Sequence, residues 1–293
     1  MTRNEFLTDQ DTLAFIGWFE SVVSGTRAID FPHKHGVDQK LSDAFERYRW
    51  PIKGIKLSTP DGEENISAYS CFHENEVLLG KLSKGLQDCL NAKPVNPEEL
   101  AGWVRVIMEW GGVFKRRGNG AWLNNAGKGL HGYLERALSA LVADDDYLLM
   151  RMADLRSNAG TTKVHALALP NFVIYDSRVA AALAWLVQSW ARASVRVVPD
   201  HLRFGCMHAN TKKQPRTPRT PDALIFKYFS PSGHVRNHRK HATWNRRANW
   251  IIEHMAKAST VNAAGERLPR TWSGREIEAA LFMMGEDLSE ALR

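Results

Sequence analysis

Two residues in the middle of the chain have side chains that could act on one ligand together. Lys163 ends the short polar segment Gly160–Lys163, and Asp176 follows 13 residues later in the segment Tyr-Asp-Ser-Arg-Val. An amine can attack an electrophilic carbon as a nucleophile, and a carboxylate can stabilise positive charge that develops beside it. The plain alternatives are a lysine that is solvated or contacts a phosphate, and an aspartate that only caps a helix.

The elements around this pair can be predicted from the sequence pattern. Asp176 immediately precedes a helix-forming run that extends from Val179 to Trp190. An aspartate there predicts an N-cap, because its carboxylate accepts hydrogen bonds from the free N–H groups of the first turn. An apolar run, Val164 to Leu169, separates Lys163 from Pro170. We therefore expect a carboxylate that is fixed at the start of a helix, with a lysine on a nearby segment.

The block from Ser157 to Leu186, about a tenth of the chain, resembles the hairpin and the following helix of the helix-hairpin-helix DNA glycosylases. In that family a glycine-containing hairpin holds a DNA phosphate, and an aspartate that caps the next helix lies beside the target sugar. The resemblance implies that Asp176 is catalytic and that Lys163 is the nucleophile of members that also cleave the strand. It also implies that Gly160, Thr161 and Thr162 contact DNA.

The charge of the chain favours a polyanionic partner. The formal net charge is +7, and the window from His201 to Trp250 holds eleven Lys or Arg residues against one acid, Asp222. Such a window is typical of phosphate binding, although a solvated basic loop is the alternative. With the resemblance, it predicts double-stranded DNA as the partner, with one base flipped out. The predicted DNA-contacting cations are Arg178, Lys212, Lys213, Arg216, Arg236, Arg239, Lys240 and Arg246.

The pattern of apolar residues predicts a mostly α-helical protein with at most a small β element. Helical periodicity recurs along the chain, while residues 52–57 alternate like a strand before the turn signal Pro60-Asp61-Gly62. A further helix is predicted from Asn65 to Phe72, and a capping box at Ser273. We expect one globular unit, with subdivisions at 1–143 (helical), 144–192 (hairpin and catalytic aspartate) and 193–293 (basic). The resemblance implies the helical fold of the glycosylases.

A glycine-rich stretch, Trp110 to Trp122, leaves two interpretations open. It contains four glycines, three cations and two tryptophans. Its backbone N–H groups could approach phosphates while Asn119 or an aromatic ring probes a base stack. The alternative, which we favour, is a helix C-terminus that is followed by a glycine-rich turn. Asp30 and His33 in an early loop are further candidate pocket residues, although such residues are more often turn formers.

The cysteines and the hydropathy indicate the expected environment. Three scattered cysteines do not suggest a disulfide framework, and no apolar run approaches the length of a membrane span. We expect a cytoplasmic monomer that does not associate with membranes. No cofactor and no metal is expected.

The predicted function is that of a DNA N-glycosylase, which excises a modified or damaged base and leaves an abasic site. Strand cleavage by lyase chemistry is expected if Lys163 is the nucleophile, and bulky modified bases of phage DNA are one candidate substrate class. A metal-dependent HNH-like nuclease is the alternative, because His234, His238 and His241 have a spacing that could share a metal. A DNA-binding protein without catalysis is the third interpretation.

Overall fold

The computed structural model describes residues 1–115, 117–209, 215–230, 234–259 and 270–293. Within these residues the protein is mostly helical, as predicted, and its only strands form two small antiparallel sheets. The helices, in chain order, are α1 Arg3–Thr8, α2 Gln10–Val23, α3 Leu41–Glu46, α4 Phe72–Asn91, α5 Pro97–Trp110, α6 Asn119–Ala126, α7 Leu130–Val142, α8 Tyr147–Arg151, α9 Thr161–Ala168, α10 Ser177–Ala193, α11 Val235–Ala258 and α12 Gly274–Met284.

Each sheet is a two-stranded hairpin. The first pairs β1 (Phe31–His33) with β2 (Gly36–Asp38), and the second pairs β3 (Ile55–Thr59) with β4 (Gly62–Ile66). Gly62 is the last residue of the predicted turn and has φ +136, a conformation that a residue with a side chain rarely adopts.

The prediction of a helix from Asn65 to Phe72 is wrong. Asn65 and Ile66 belong to strand β4, where Ile66 pairs with Ile55 and is buried. Tyr69 then adopts a left-handed backbone with φ 57, so no right-handed helix can pass through this position. Helix α4 starts only at Phe72.

The first hydrophobic core forms around α10. Ten consecutive helical residues, from Val179 to Gln188, are buried on every side of this helix. An apolar surface all round a helix requires neighbours all round, and α2 and α12 are among them. Large rings such as Phe15, Phe19 and Trp190 fill the space between α10 and α2.

The second core lies between α4, α5, α7 and α9. Its centre contains Leu82, Leu86, Val104 and Ile107, each of which is fully buried. The stripe of leucines at helical spacing on α4 is therefore a core face, as the periodicity predicts.

A short extended segment, residues 172–175, runs between the two cores. Phe172 and Ile174 belong to the second core, whereas Val173 and Tyr175 belong to the first. Alternate side chains of an extended backbone point to opposite sides, so this segment contributes to both cores. It leads directly to Asp176, which is therefore held between the two helical layers.

The cores divide the chain differently from the predicted boundaries at 143 and 193. The N-terminal residues up to Ala44 pack in the first core with residues from Val173 onward, and residues 57–172 build most of the second. The reason is tertiary: α2 packs against α10 and α11, contacts that no local pattern encodes.

None of the helices in the described ranges is sufficiently long and apolar to cross a membrane.

Candidate functional site

Asp176 is the N-cap of α10, as predicted. Its Oδ1 accepts hydrogen bonds from the backbone N–H groups of Arg178 at 2.8 Å and Val179 at 3.2 Å. Oδ1 is thus committed to the helix start, which leaves Oδ2 free to act on another group. Capping and a chemical role are compatible in this geometry, because they use different oxygens.

The backbone before Asp176 is held by polar side chains from two helices. Asn249 of α11 accepts from the N–H of Val173 at 3.0 Å, and Glu278 of α12 accepts from the N–H of Ile174 at 2.7 Å. An extended segment outside a sheet has no neighbouring strand to bond its backbone N–H groups, and these two side chains take that place. The position of Asp176 is therefore fixed from both sides.

Lys163 lies in the first turn of α9 and its side chain is buried, with 6% of its surface exposed. Its Nζ lies 3.7 Å from Asp176 Oδ2 and donates to the backbone oxygen of Ala159 at 3.1 Å. Lys163 thus lies in a helix, and not in the exposed polar loop where a solvated lysine would be expected. The structure thus brings together the two residues that the sequence analysis singled out.

Gly111, at the end of α5, makes room for the lysine side chain. A Cβ atom built on Gly111 would overlap with Cδ and Cε of Lys163. The aliphatic part of Lys163 therefore lies directly on the glycine backbone, and any larger residue would push the ammonium group away from Asp176.

The carboxyl group of Asp176 stays ionised despite its burial. Burial alone raises the pKa of a carboxyl group, but here Lys163, Arg178 and the two N–H donors of the cap outweigh it and lower the pKa below the ordinary 3.8. At neutral pH Asp176 is accordingly an anion that faces the side chain of Lys163.

Lys163 and Asp176 line a cavity of about 400 Å³ whose wall also contains five aromatic rings. This volume lies in the range of sites for small molecules and cofactors. The rings that line it are Tyr48, Trp50, Phe72, Trp110 and Phe282.

Asn75 of α4 connects two of these rings. Its amide donates to the hydroxyl of Tyr48 at 2.9 Å and accepts from the indole N–H of Trp110 at 2.9 Å. Trp110 also contacts Trp50 edge to face, with centroids 6.1 Å apart. A hydrogen-bonded aromatic wall of this kind is preorganised to receive a flat ring.

Two arginines on the cavity wall are paired with acids. Arg178 lies 3.1 Å from Glu286 and stacks on Phe282, with 4.2 Å between its guanidinium carbon and the ring centroid. Arg275 lies 2.9 Å from Glu278. The pKa of Glu278 is raised because it is buried, and Arg275 offsets this only in part. Arg178, predicted as a DNA contact, is thus part of the cavity wall.

The remaining hairpin residues have structural partners. Gly160, Thr161 and Thr162 are buried. Thr161 donates to the backbone oxygen of Arg156 at 3.1 Å, and Asn158 Oδ1 accepts from the N–H groups of Gly160 and Thr161. These three residues were predicted to contact DNA, but they are not exposed in this structure, because the turn is closed by its own hydrogen bonds.

Asn119 is also internal and does not extend toward a base. Its Oδ1 accepts from Arg156 and from Asn158, its amide donates to the backbone oxygen of Val113 at 3.1 Å, and it packs against Gly160, where a Cβ would overlap with it. Asn119 therefore ties the glycine-rich stretch to the turn before α9.

Three of the predicted cations lie together on α11. Arg236, Arg239 and Lys240 line an open groove of about 460 Å³, together with Arg247 and Trp244. Arg236 and Lys240 are exposed. Arg216 is exposed but does not line this groove. Lys212 and Lys213 lie outside the described residues.

Arg246 has a structural role instead of the predicted DNA contact. Its side chain is fully buried, and its Nη1 lies 2.7 Å from Asp146 Oδ1. The acid run Asp144–Asp146 receives the arginine, and Trp250 packs against its guanidinium at 4.9 Å. A buried and paired guanidinium has no surface to offer a phosphate.

The histidine-rich segment does not form the arrangement that a nuclease would require. The ring of His241 contacts the hydroxyl of Ser157 at 2.8 Å and that of His238 contacts the Ser157 backbone oxygen at 2.8 Å, while His234 is exposed. Burial lowers the pKa of His241 to about 3. In the part of the chain that the structure describes, no group of three or more His, Cys, Asp or Glu side chains could hold a metal ion.

Sequence reasoning missed several residues of this site. Asn75, Gly111, Arg219 and Glu278 come from four separate segments and reach the cavity only in the folded protein. The one local signal was the Gly111-Gly112 pair after Trp110, which was interpreted as the end of a helix. Comparisons with family models, with curated proteins and with solved structures find no match for this chain.

Proposed function

We propose that this protein is a DNA N-glycosylase whose reaction centre is the pair of Lys163 and Asp176. The observation that carries the proposal is the ionised Asp176, whose Oδ2 takes no part in the helix cap and lies 3.7 Å from Lys163 Nζ, at the wall of a 400 Å³ cavity. An amine and a carboxylate beside a cavity with aromatic rings in its wall suit a reaction at the sugar of a base that is stacked on those rings. The resemblance of residues 157–186 to the helix-hairpin-helix glycosylases supports the same assignment.

The carboxylate has the properties that glycosidic cleavage needs. When the bond between C1′ and the base nitrogen breaks, the electron pair leaves with the base and the sugar becomes positively charged. Asp176 Oδ2 stabilises this charge, and its lowered pKa keeps it anionic at neutral pH. Water can then add to C1′ and lose a proton, which gives the abasic sugar and the free base.

Lys163 offers a second route, which releases the same free base and also cleaves the strand. After its ammonium group loses a proton, its nitrogen can form a bond to C1′ as the base leaves, and opening of the sugar ring gives a Schiff base. Elimination of the 3′ phosphate then cleaves the strand, and hydrolysis of the Schiff base releases Lys163. The pair with Asp176 supports this route because it holds the amine at the cavity wall.

Binding of the DNA backbone is assigned to the groove on α11. Arg236, Arg239 and Lys240 converge there, and exposed cations on one face favour phosphates through release of counterions. The aromatic cavity would receive the flipped base, with the rings of Trp50 and Trp110 as stacking surfaces.

The test is a release assay on duplexes that carry a panel of damaged and modified bases, bulky phage-type modifications included. We expect free base and abasic sites with the wild-type protein and no release with Asp176→Asn. Asparagine is itself a good N-cap, so the variant should keep the start of α10 and its DNA binding. Binding by both proteins without release from any duplex would indicate a DNA-binding protein that is not an enzyme.

Borohydride tests the role of Lys163 separately. It reduces a Schiff base to a stable link, so the wild-type protein should become attached to the cleaved substrate and Lys163→Gln should not. Base release without any trapped complex would assign the reaction to water and leave Lys163 as the partner of Asp176.

A further inference from the structure

The charges on the cavity wall do not balance. Three of its cations have partner acids: Lys163 lies 3.7 Å from Asp176, Arg178 lies 3.1 Å from Glu286, and Arg275 lies 2.9 Å from Glu278. Arg219 also lines the cavity, but no ion pair links it to a carboxylate in the described part of the chain. The wall thus presents one cation beyond its pairs.

Arg219 is buried without satisfying its own hydrogen-bonding groups. Only 7% of its surface is exposed, and neither Nε nor Nη1 has a hydrogen-bond partner among the described residues. Burial lowers the pKa of Arg219 to about 10, so the guanidinium group remains charged at neutral pH. Asp176, Glu286 and Asp287 act on its charge from a distance, but buried donors without acceptors are costly, and a ligand in the cavity can supply the acceptors.

The backbone around Arg219 is held firmly. Its N–H donates to the hydroxyl of Tyr228 at 3.1 Å, the preceding Pro218 accepts from the N–H of Leu288 at 3.3 Å, and the hydroxyl of Thr220 donates to the oxygen of Phe226 at 2.8 Å. These bonds fix the base of the side chain at the cavity wall, so the unpaired guanidinium is not the product of a loose loop.

Arg219 also stands where two cavities meet. Together with Thr217 it lines both the aromatic cavity and a second, more polar one of about 810 Å³, which His33 and Arg47 border on another side. A ligand in the aromatic cavity that carries an oxygen toward this shared wall would come within reach of the guanidinium group.

We propose that Arg219 is a ligand-binding residue, which donates hydrogen bonds to an oxygen of the nucleotide that enters the aromatic cavity. The identity of the ligand as a nucleotide rests on the proposed function. Two kinds of oxygen share the required chemistry: a phosphate oxygen next to the flipped sugar, and a carbonyl or substituent oxygen on the base. Arginine suits either one, since it presents several donors in one plane.

The variant Arg219→Met separates ligand binding from a structural role. If the guanidinium serves a ligand, its replacement by an apolar side chain of similar length removes an unsatisfied charge and leaves the melting temperature unchanged or raises it. Arg192→Met, at an exposed position near the end of α10 that lines neither cavity, is the matched control. A structural arginine would instead give a lower melting temperature for Arg219→Met.

Binding is measured by calorimetry on the full chain with deoxynucleoside 5′-monophosphates and with the matching deoxynucleosides. We expect Arg219→Met to bind the monophosphates about 10- to 100-fold more weakly than the wild type, as for loss of a charged hydrogen bond, and Arg192→Met to bind like the wild type. A loss confined to the monophosphates identifies the phosphate, and an equal loss with the nucleosides identifies an oxygen of the base.

The proposal is overturned if Arg219→Met binds every probe as the wild type does, or if the wild type binds none of them. This outcome is separate from the reaction. Binding that depends on Arg219, without base release from DNA, would support the ligand site and refute the glycosylase. Base release at the same rate with and without Arg219 would refute only the present inference.

Discussion

Gly111 and Lys163 are in direct contact, with the aliphatic part of the lysine lying on the backbone of the glycine. A Cβ at position 111 would occupy the space of Cδ and Cε of Lys163. The end of α5 therefore determines where the amine of α9 lies relative to Asp176. Two helices that are distant in sequence thus position one functional group.

Gly111→Ala should displace the amine of Lys163 without unfolding the protein. The end of a lysine side chain can rotate away, so the expected cost in the free energy of unfolding is only about 1–2 kcal/mol. Base release and borohydride trapping should fall at least about tenfold, since an amine that has moved by about 1 Å is poorly placed to react. Gly80→Ala on α4, where the new Cβ meets nothing within 4 Å, is the control. Wild-type trapping by Gly111→Ala would refute the positioning role.

Gly285 is a second close contact, and it secures the start of α10. A Cβ at this position would overlap with the backbone oxygen and carbon of Arg178, which cannot rotate away. We expect Gly285→Ala to lower the free energy of unfolding by about 3 kcal/mol in urea denaturation. Gly17→Ala on α2, where the new methyl group meets nothing within 4 Å, should be neutral or stabilising. Equal stability of the two variants would contradict the close packing of α12 on α10.

The groove on α11 predicts a specific dependence of DNA binding on salt. Arg236→Ala and Lys240→Ala should each weaken binding to any duplex sequence and reduce the slope of log K against log salt by about one. Lys84→Ala, a cation of α4 that pairs with Asp88, should leave the slope unchanged. Filter-binding titrations at several salt concentrations measure the slope, and identical slopes for all three variants would place the DNA elsewhere.

His165 predicts a loss of stability in mild acid. Its ring is buried, neither nitrogen has a partner among the described residues, and burial lowers its pKa to about 4. Between that value and the unfolded pKa near 6.5 only the unfolded chain takes up the proton. The contribution of His165 is therefore complete above about pH 6.5 and declines as the pH falls toward 4.

His165→Met should remove this dependence. The free energy of unfolding of the variant minus that of the wild type should be about 2 kcal/mol larger at pH 5 than at pH 7.5. His73→Met, at an exposed position of α4, should show no such pH dependence. Parallel stability curves for the wild type and His165→Met would contradict this, because they would mean that the ring takes up its proton equally in the folded and unfolded chains.

Local sequence features predicted the structure correctly at positions where one residue determines the geometry. The Asp176 cap, the Ser273 capping box and the Pro60–Gly62 turn are confirmed, because each depends on short-range hydrogen bonds or on glycine. The helix predicted from Asn65 failed, because cross-strand pairing with residues 55 and 56 outweighs local propensity.

The cavity could be predicted only in part. Lys163 and Asp176 lie in one segment and share a recognisable pattern, whereas Asn75, Arg219 and Glu278 come from distant segments whose contacts depend on the packing of α4, α12 and the 215–230 segment. The basic window also contains cations in opposite environments: Arg246 pairs with Asp146 inside the protein, while Lys240 of the same helix is exposed. Charge pattern alone does not separate a buried cation from a surface one.

The central claim is tested most directly by the single-turnover rate of base release, for the wild type and Asp176→Asn, on the duplex from which release is detected. The account predicts that the rate falls about 100-fold or more in the variant, while its affinity for the same duplex is retained. Release by Asp176→Asn at the wild-type rate would contradict it, because the carboxylate at the start of α10 would then have no part in the reaction.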